Sequence, residues 1–238
     1  MQIDILTTFV DMFSGPFSES IIKRAQEAGK VDIYVHNLRD WTSDRHHKTD
    51  DEQFGGGDGM VMLAQPLIEA VQDLQSRTAA ESYLILTTPQ GRIYEQSVAE
   101  ELSAKEHLII ICGHYKGVDE RVIDILQPDE ISIGDYILTG GELPAMIIVD
   151  SVVRLMPGVV NSFGSVEEDS FTCGLLDCPR YTRPREVMGR AVPDVLLSGN
   201  HAEIDRWRLE QSCERTARRR PDLYREYRRR QERKEREA

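Results

Sequence analysis

Glycine-bearing segments follow three apolar runs of the chain, and their spacing points to a binding site. They span residues 88–91 (TPQG), 112–117 (CGHYKG) and 133–141 (IGDYILTGG). Glycine lets a ligand approach the backbone closely, and in an open α/β sheet ligands bind beyond the carboxyl ends of the strands. Each segment alone is typical of an ordinary strand-to-helix turn, but the three together favour a shared ligand pocket.

The pocket predicted from these segments differs from the common phosphate-binding sites. The chain has no GxxxxGK[ST] motif, and no GxGxxG follows a strand and opens a helix. The run GGGDG at residues 55–59 lacks that spacing and continues as MVML. Tyr115 and Tyr136 offer stacking surfaces, and the loop backbones offer hydrogen-bond donors and acceptors. These features suit an adenosine-like ligand.

Two further places could supply acid–base chemistry. Arg154 lies on the apolar segment 144–156, where it either pairs with Asp150 at the i,i+4 spacing or serves a function. The acidic cluster Glu167–Glu168–Asp169 is, from composition alone, typical of a solvated linker. It could also hold a general base, because neighbouring like charges raise the pKa of a carboxylate.

No metal site is predicted from the side chains. Residues 44–51 (DRHHKTDD) contain adjacent histidines, which cannot easily share one metal on a regular element, so we favour a polar loop there. The four cysteines fit no CxxC spacing and are too few for a disulfide-built secreted domain.

Apolar runs alternate with amphipathic segments over the first two thirds of the chain. Such alternation predicts an α/β domain with a mostly parallel sheet. The predicted strands are residues 2–9, 31–36, 83–88, 108–112 and 130–133, and the predicted helices are residues 18–28, 66–75, 95–104 and 144–156.

Charge and composition change towards the end of the chain. The 238 residues include 29 basic and 41 acidic side chains, a net charge of −12. Residues 206–238 nevertheless carry 12 Arg and one Lys against seven acids, a net of +6, which favours a polyanionic partner. We therefore predict a domain over residues 1–160, a linker over 161–174, and a small all-helical domain over 175–238 with helices at 200–218 and 221–237.

Membrane and secretory classes are not favoured. No apolar run approaches the roughly 18–20 residues that a membrane-spanning helix needs. The opening MQIDILTTF lacks the basic region and apolar stretch of a signal peptide. Cytoplasm is the expected compartment.

Several stretches, taken in order, resemble one known family. They are DRHHKTDDEQFGGGDGMVM, ICGHYKGVDERV, ISIGDYILTGGELPAM, RLMPGVV, EEDSF, YTRP and VLLSGNHAEIDRWR. This set resembles the bacterial tRNA (guanine-N1)-methyltransferases of the TrmD type, in the SPOUT superfamily, and the resemblance covers nearly the whole chain.

The resemblance implies a fold and an activity that composition alone does not show. It implies a deep trefoil knot in the α/β domain, a homodimer whose active sites are shared between protomers, and S-adenosylmethionine (SAM) as methyl donor. The reaction implied is methylation of N1 of the guanosine at tRNA position 37, when another guanosine precedes it. No membrane partner is implied, and participation of Mg²⁺ stays open.

Individual residues take roles only through this resemblance. Asp169 would be the general base, Arg154 its partner, residues 161–174 a lid, and residues 175–238 the tRNA-binding domain. The residues implied around SAM are Pro89, Gly91, Gly113, Tyr115, Ile133, Gly134, Asp135, Tyr136, Ile137, Leu138, Gly140, Gly141 and Pro144.

One residue departs from the family pattern. Lys116 in GHYKG stands where the resemblance leads us to expect an acid. The lysine leaves three alternatives: the position-37 methyltransferase, a related methyltransferase acting on a ribose 2′-hydroxyl or another base, and an RNA-binding module that holds SAM without turnover.

Overall fold

A computed structural model describes residues 1–160 and 169–237. Its contacts divide the chain into two compact units, Met1–Asn161 and Ser162–Ala238. Of the predicted linker 161–174, residues 161–168 lie outside the described residues.

A five-stranded sheet forms the centre of the first unit. The strands are β1 (Gln2–Thr7), β2 (Asp32–Asn37), β5 (Ser82–Ile93), β6 (His107–Cys112) and β7 (Asp129–Ser132), while β3 (Asp50–Glu52) and β4 (Met60–Met62) lie outside this sheet. The strand order is β2-β1-β6-β5-β7, and every neighbouring pair is parallel. The prediction of an α/β fold with a parallel sheet is therefore confirmed.

Helices connect these strands close to where the sequence places them. The helices that we predicted to start at Pro66 and Pro144 begin two residues earlier, at Ala64 and Glu142. Pro66 and Pro144 are then third in their helices, where the missing N–H costs no intrahelical hydrogen bond. The helices are α1 (Ser14–Phe17), α2 (Ser20–Glu27), α3 (Ala64–Ser76), α4 (Gln96–Ser103), α5 (Glu120–Leu126) and α6 (Glu142–Val153).

The core lies on both faces of the sheet because central strands bury alternate side chains on opposite sides. Every residue of β6 is buried. Ile110 belongs to one apolar cluster, with Ile148 and Val152 of α6, and Ile109 belongs to the other, with Leu67 of α3. Both faces must be covered, which explains the continuous apolar run of this strand.

A buried carboxylate joins three strands of the sheet. Asp4 of β1 lies 2.6 Å from Nε2 of His36 on β2 and 2.7 Å from Nε2 of His107 on β6. Burial on its own would raise the pKa of Asp4, but the hydrogen bonds with His36, His107 and Gln2 outweigh it, and the net pKa is lowered. The carboxylate is therefore a satisfied group of the core.

Strand β5 is longer than predicted, and the expected loop at 88–91 is a bulge within it. Thr87 and Arg92 are both in register with Ile131 of β7, so residues 88–91 leave the ladder and rejoin it at the same level. Gly91 lies directly against the β7 backbone, where a Cβ atom would collide with Glu130 and Ile131. Glycine is needed at this contact because any side chain would separate the two segments.

A cluster of charged groups stabilises the part of β5 that pairs with β7 again after the bulge. The Arg92 guanidinium donates to Asp129 at 2.6 Å and to Glu101 at 3.1 Å. The Tyr83 hydroxyl donates to Asp129 at 2.9 Å. Burial, followed by this hydrogen bond, raises the pKa of Tyr83 to about 12. The predicted strand ends at residue 88 because these contacts are made by residues distant along the chain.

A hairpin begins at the end of segment 44–51, which we predicted as a polar loop. Asp50–Glu52 and Met60–Met62 pair antiparallel as β3 and β4. Gly55, Gly56, Gly57 and Gly59 between them all have positive φ, which glycine adopts without strain. The pairing is missed from the sequence because neither three-residue strand has a periodic apolar pattern.

Over its described residues, 169–237, the second unit has two α-helices, a short 3-10 helix (Asp194–Leu197) and a small hairpin. The helices, α7 (His201–Arg219) and α8 (Pro221–Glu237), lie within one residue of their predicted positions. The prediction of an all-helical domain is wrong, because β8 (Glu186–Val187) pairs antiparallel with β9 (Arg190–Ala191). Met188 and Gly189 between them both have positive φ, as two-residue hairpin turns require.

Gly91→Ala tests the close backbone contact at β7. We expect a loss of about 2 kcal/mol of unfolding free energy, because the added methyl group meets backbone atoms that cannot rotate away. Urea denaturation measures the loss. Gly15→Ala is the matched control, since its Cβ would meet nothing within 4 Å, and unchanged stability of Gly91→Ala would contradict this packing.

Candidate functional site

The three glycine-bearing segments meet in one cleft. They come together because β6, β5 and β7 are consecutive in the sheet and parallel, so their carboxyl ends share one edge. The cleft has a volume of about 570 Å³, within the range of small-molecule sites.

Most of the residues implied around SAM line this cleft. Gly91 and Asp135 are the two that do not: Gly91 lies against β7 instead. Those that line it are Pro89, Gly113, Tyr115, Ile133, Gly134, Tyr136, Ile137, Leu138, Gly140, Gly141 and Pro144. Leu86, Ile123 and Ile131 add apolar walls that the motif comparison did not include.

Thr87 holds the three segments together at the base of the cleft, a role that sequence reasoning missed. Its buried Oγ1 accepts a hydrogen bond from Gly113 N at 3.4 Å and lies 3.1 Å from the Ile111 carbonyl oxygen and 3.4 Å from that of Gly141. The one signal in the sequence is a hydroxyl residue at the end of an otherwise apolar strand.

Glycines let the backbone segments approach one another at this base. Gly141 N donates to Gly113 O at 2.7 Å. A Cβ on Gly141 would collide with the Thr87 hydroxyl, and one on Gly140 would collide with Glu142 and His114. The cleft therefore requires glycine at both positions.

Glu142 and Cys112 form the buried floor behind the glycines. Thr7 Oγ1 donates to Glu142 Oε1 at 2.7 Å. Burial, followed by the charge of Glu142, raises the pKa of the Cys112 thiol well above its ordinary value. Cys112 thus stays protonated and serves as a packing residue rather than a nucleophile.

The walls of the cleft fit an adenosine-like group better than a polyphosphate. Tyr136 is 55 % exposed and its hydroxyl donates to Ile133 O at 3.3 Å, which holds the ring over the third segment. Tyr115 is 44 % exposed. Lys116 is the one lysine or arginine among the residues that line the cleft in the described part of the chain. Flat rings, glycine backbone and apolar walls suit a nucleoside.

Lys116 lies between the cleft and the β3–β4 hairpin. Its backbone N–H donates to Met60 O at 3.0 Å, and a Cβ on Gly59 would meet its side-chain stem. Lys116, where the resemblance leads us to expect an acid, therefore packs on the hairpin while lining the cleft.

The two residues predicted for acid–base chemistry belong to different units. Arg154, half-buried, directly follows α6 in the first unit. Asp169 is the first described residue of the second unit, and Glu167 and Glu168 lie outside the described residues. Their catalytic roles stay predictions.

Neither a metal centre nor a membrane span is found over residues 1–160 and 169–237. No group of three or more His, Cys, Asp or Glu side chains comes together there as a metal site. No helix in those ranges is long and apolar enough to cross a bilayer.

A parallel α/β sheet with a cleft at its carboxyl edge that suits a nucleoside is typical of the class of α/β proteins that bind nucleoside-containing ligands. The family described as tRNA (Guanine-1)-methyltransferase TrmD matches residues 1–226. Proteins named tRNA (guanine-N(1)-)-methyltransferase from Bacillus cereus (strain AH820), Bacillus anthracis (strain A0248) and Bacillus thuringiensis subsp. konkukian (strain 97-27) are each 54% identical over 226 residues. That alignment covers 95% of this chain and 93% of each relative. The chain belongs to the TrmD family of tRNA methyltransferases, which confirms the resemblance.

Lys116→Glu tests the departure within the cleft. We predict that the substitution raises methyl transfer to tRNA about tenfold, or about 1.4 kcal/mol in the barrier, or else changes the response to Mg²⁺, because it reverses a charge at the cleft. Initial rates with and without Mg²⁺ measure both effects. Lys23→Glu makes the same charge change on exposed α2, and an unchanged rate and Mg²⁺ response for Lys116→Glu would refute the hypothesis.

Proposed function

We propose that this chain transfers the methyl group of SAM to N1 of the guanosine at position 37 of tRNA, where another guanosine precedes it. Membership of the family supports tRNA guanine-N1 methylation. The observation that carries the proposal is the single cleft formed by the three glycine-bearing segments, whose walls fit a nucleoside. A loop nucleotide can be splayed out at less cost than a paired one, which makes N1 accessible next to the anticodon.

The cleft residues would hold SAM through backbone and ring contacts. Gly113, Gly140 and Gly141 line the base without side chains, so a ligand can approach the backbone there. Tyr115 and Tyr136 offer stacking surfaces. When bound, SAM supplies an electrophilic methyl group on a sulfonium that is already a good leaving group. The remaining work of the protein is alignment and proton transfer.

Asp169 would act on the guanine. N1 of guanine carries a proton at neutral pH, so its lone pair is unavailable until a base removes that proton. An Asp169 oxygen would accept it, an effect worth about 10²–10⁴-fold in rate. The Arg154 guanidinium would donate to O6, where negative charge develops.

The proposed roles extend to the domains and the assembly. We assign residues 1–160 to SAM binding within the trefoil knot of the family, 161–174 to a lid, and 175–238 to tRNA binding. Two copies would share each active site. On α6, Leu143 and Ile147 are 47 % and 46 % exposed, and nearby Ile137 is 80 % exposed, so an apolar surface is available for a second copy.

The defining experiment is methyl transfer from labelled SAM to two tRNA transcripts. One transcript carries guanosines at positions 36 and 37, and the other carries adenosine at 37. We expect transfer to the first alone, mapped to N1 by nucleoside analysis. Transfer to a ribose or to another base would identify the related methyltransferase class, and SAM binding without transfer would identify the non-catalytic module.

Asp169→Asn tests the general base. We expect SAM affinity to stay within about twofold and the single-turnover rate to fall by about 10²–10⁴-fold, because the amide cannot accept the N1 proton. Asp194→Asn, at an exposed position of the same unit, is the control. Retained turnover in Asp169→Asn would remove the assignment.

Mixing two inactive variants tests whether the site is shared. Asp169→Asn and Arg154→Ala are each expected to be inactive. If Asp169 of one protomer works with Arg154 of its partner, mixed dimers regain one intact site and transfer returns. Absence of recovery, with mixed dimers demonstrated, would place both residues in one protomer.

A further inference from the structure

Helix α8 carries four arginines along one side. Arg225, Arg229, Arg233 and Arg236 are all exposed. At about 100° per residue they fall within an arc of about 80°, and at about 1.5 Å per residue they span about 17 Å along the helix. We call these four side chains the arginine stripe.

The opposite side of α8 faces the rest of its unit. Leu223, Tyr224, Tyr227 and Gln231 are half-buried there, and α8 contacts α7. The stripe is therefore held outward by packing on the other face, which fixes its direction relative to the unit.

Three acids of α8, at Asp222, Glu226 and Glu232, are engaged by arginines outside the stripe. Arg220 donates to Asp222 at 2.6 Å, which contributes to a pKa of about 2 for that carboxyl. Arg230 donates to Glu226. Over the residues that the structure describes, none of these ion pairs includes a stripe arginine.

Arg228 lies 4.0 Å from Glu232 and completes this pattern. The helix thus contains two kinds of arginine: some neutralise acids, and the stripe leaves its charge available. Exposed ion pairs contribute little to stability. The main effect of this arrangement is therefore a positive electrostatic potential along the exposed side of α8.

We propose that the arginine stripe binds the phosphate backbone of RNA without reading its sequence. Guanidinium groups pair with phosphates in bidentate geometry, and successive arginines one helical turn apart can follow successive phosphates. A membrane surface is disfavoured because the apolar residues of α8 are on its half-buried side. This inference rests on the proposed function, which supplies a tRNA to the same unit.

Three of the four stripe arginines lie beyond the family match. That match ends at residue 226, and Arg229, Arg233 and Arg236 follow it. Membership of the family therefore does not by itself assign a role to these three side chains.

Salt dependence of RNA binding tests the stripe in the full-length protein. The stripe variant is Arg229→Gln with Arg233→Gln, and the matched control is Arg228→Gln with Arg230→Gln, which makes the same charge change on the same helix. Dissociation constants for a tRNA transcript are measured over a range of KCl concentrations. We plot the logarithm of the association constant against the logarithm of the salt concentration. We expect the steepness of this line to fall by roughly one for each arginine in the stripe variant, and by less than half as much in the control.

Two further measurements test whether the effect comes from the positive charge of the stripe acting on phosphates. An unrelated RNA hairpin should show the same slope difference, because phosphate contacts carry no sequence information. Arg229→Lys with Arg233→Lys should restore the slope, because lysine keeps the charge. Circular dichroism should show unchanged helix content in all variants, since glutamine is a good helix former.

Equal slopes for the stripe variant and the control would overturn the proposal, because net charge alone would then explain binding. An unchanged slope in the stripe variant would overturn it as well. The proposed function can fail while this proposal stands. If the wild-type protein does not methylate guanosine N1, but the stripe variant and the control still differ in their salt slopes, the proposed function is wrong and the RNA-binding role of the stripe is retained.

Discussion

Close backbone contact at the carboxyl edge of the sheet is the constraint on which the cleft depends. Gly91 lies against the β7 backbone, and Gly141 lies against Gly113 and the Thr87 hydroxyl. Side chains would hold these segments apart, and the cleft walls would lose their common base. The Arg92–Asp129 pair and the buried face of α6 then hold the segments in place from outside. The binding site is thus made largely of backbone, which explains why its motifs are rich in glycine.

Much of this architecture follows from local sequence pattern. The apolar run of β6 predicts a strand covered on both faces, and both faces are covered. The amphipathic segments α7 and α8 lie within one residue of their predicted positions, because both begin at strong start signals, Asn200 as N-cap and Pro221 as first residue. The gathering of three segments in one cleft also follows, since parallel neighbours end at one edge.

The rest depends on contacts that the sequence does not display. The bulge at 88–91 is set by Arg92 meeting Asp129, 37 residues away. Thr87 acquires its role only when Ile111 and Gly141 come within reach. The hairpins β3–β4 and β8–β9 have strands too short for a periodic signal, and the positive φ of Met188 is unexpected for a residue without the freedom of glycine. The proposed partnership of Asp169 with Arg154 came from family resemblance rather than from spacing.

In the proposed function, the two units have different tasks in the recognition of RNA. Phosphate contacts position an RNA and supply affinity, but they cannot distinguish one base from another. An arginine-rich unit alone would therefore hold many RNAs, and selection of a guanosine has to occur where base edges meet fixed donors and acceptors. The cleft, which the proposal assigns to SAM, has segments tied by Thr87 and by the Gly141–Gly113 hydrogen bond, so it would hold the methyl donor in a fixed place for the incoming base. Placement of the reacting groups is the more demanding of the two tasks, because a phosphate can be contacted from many positions and a reacting nitrogen from very few.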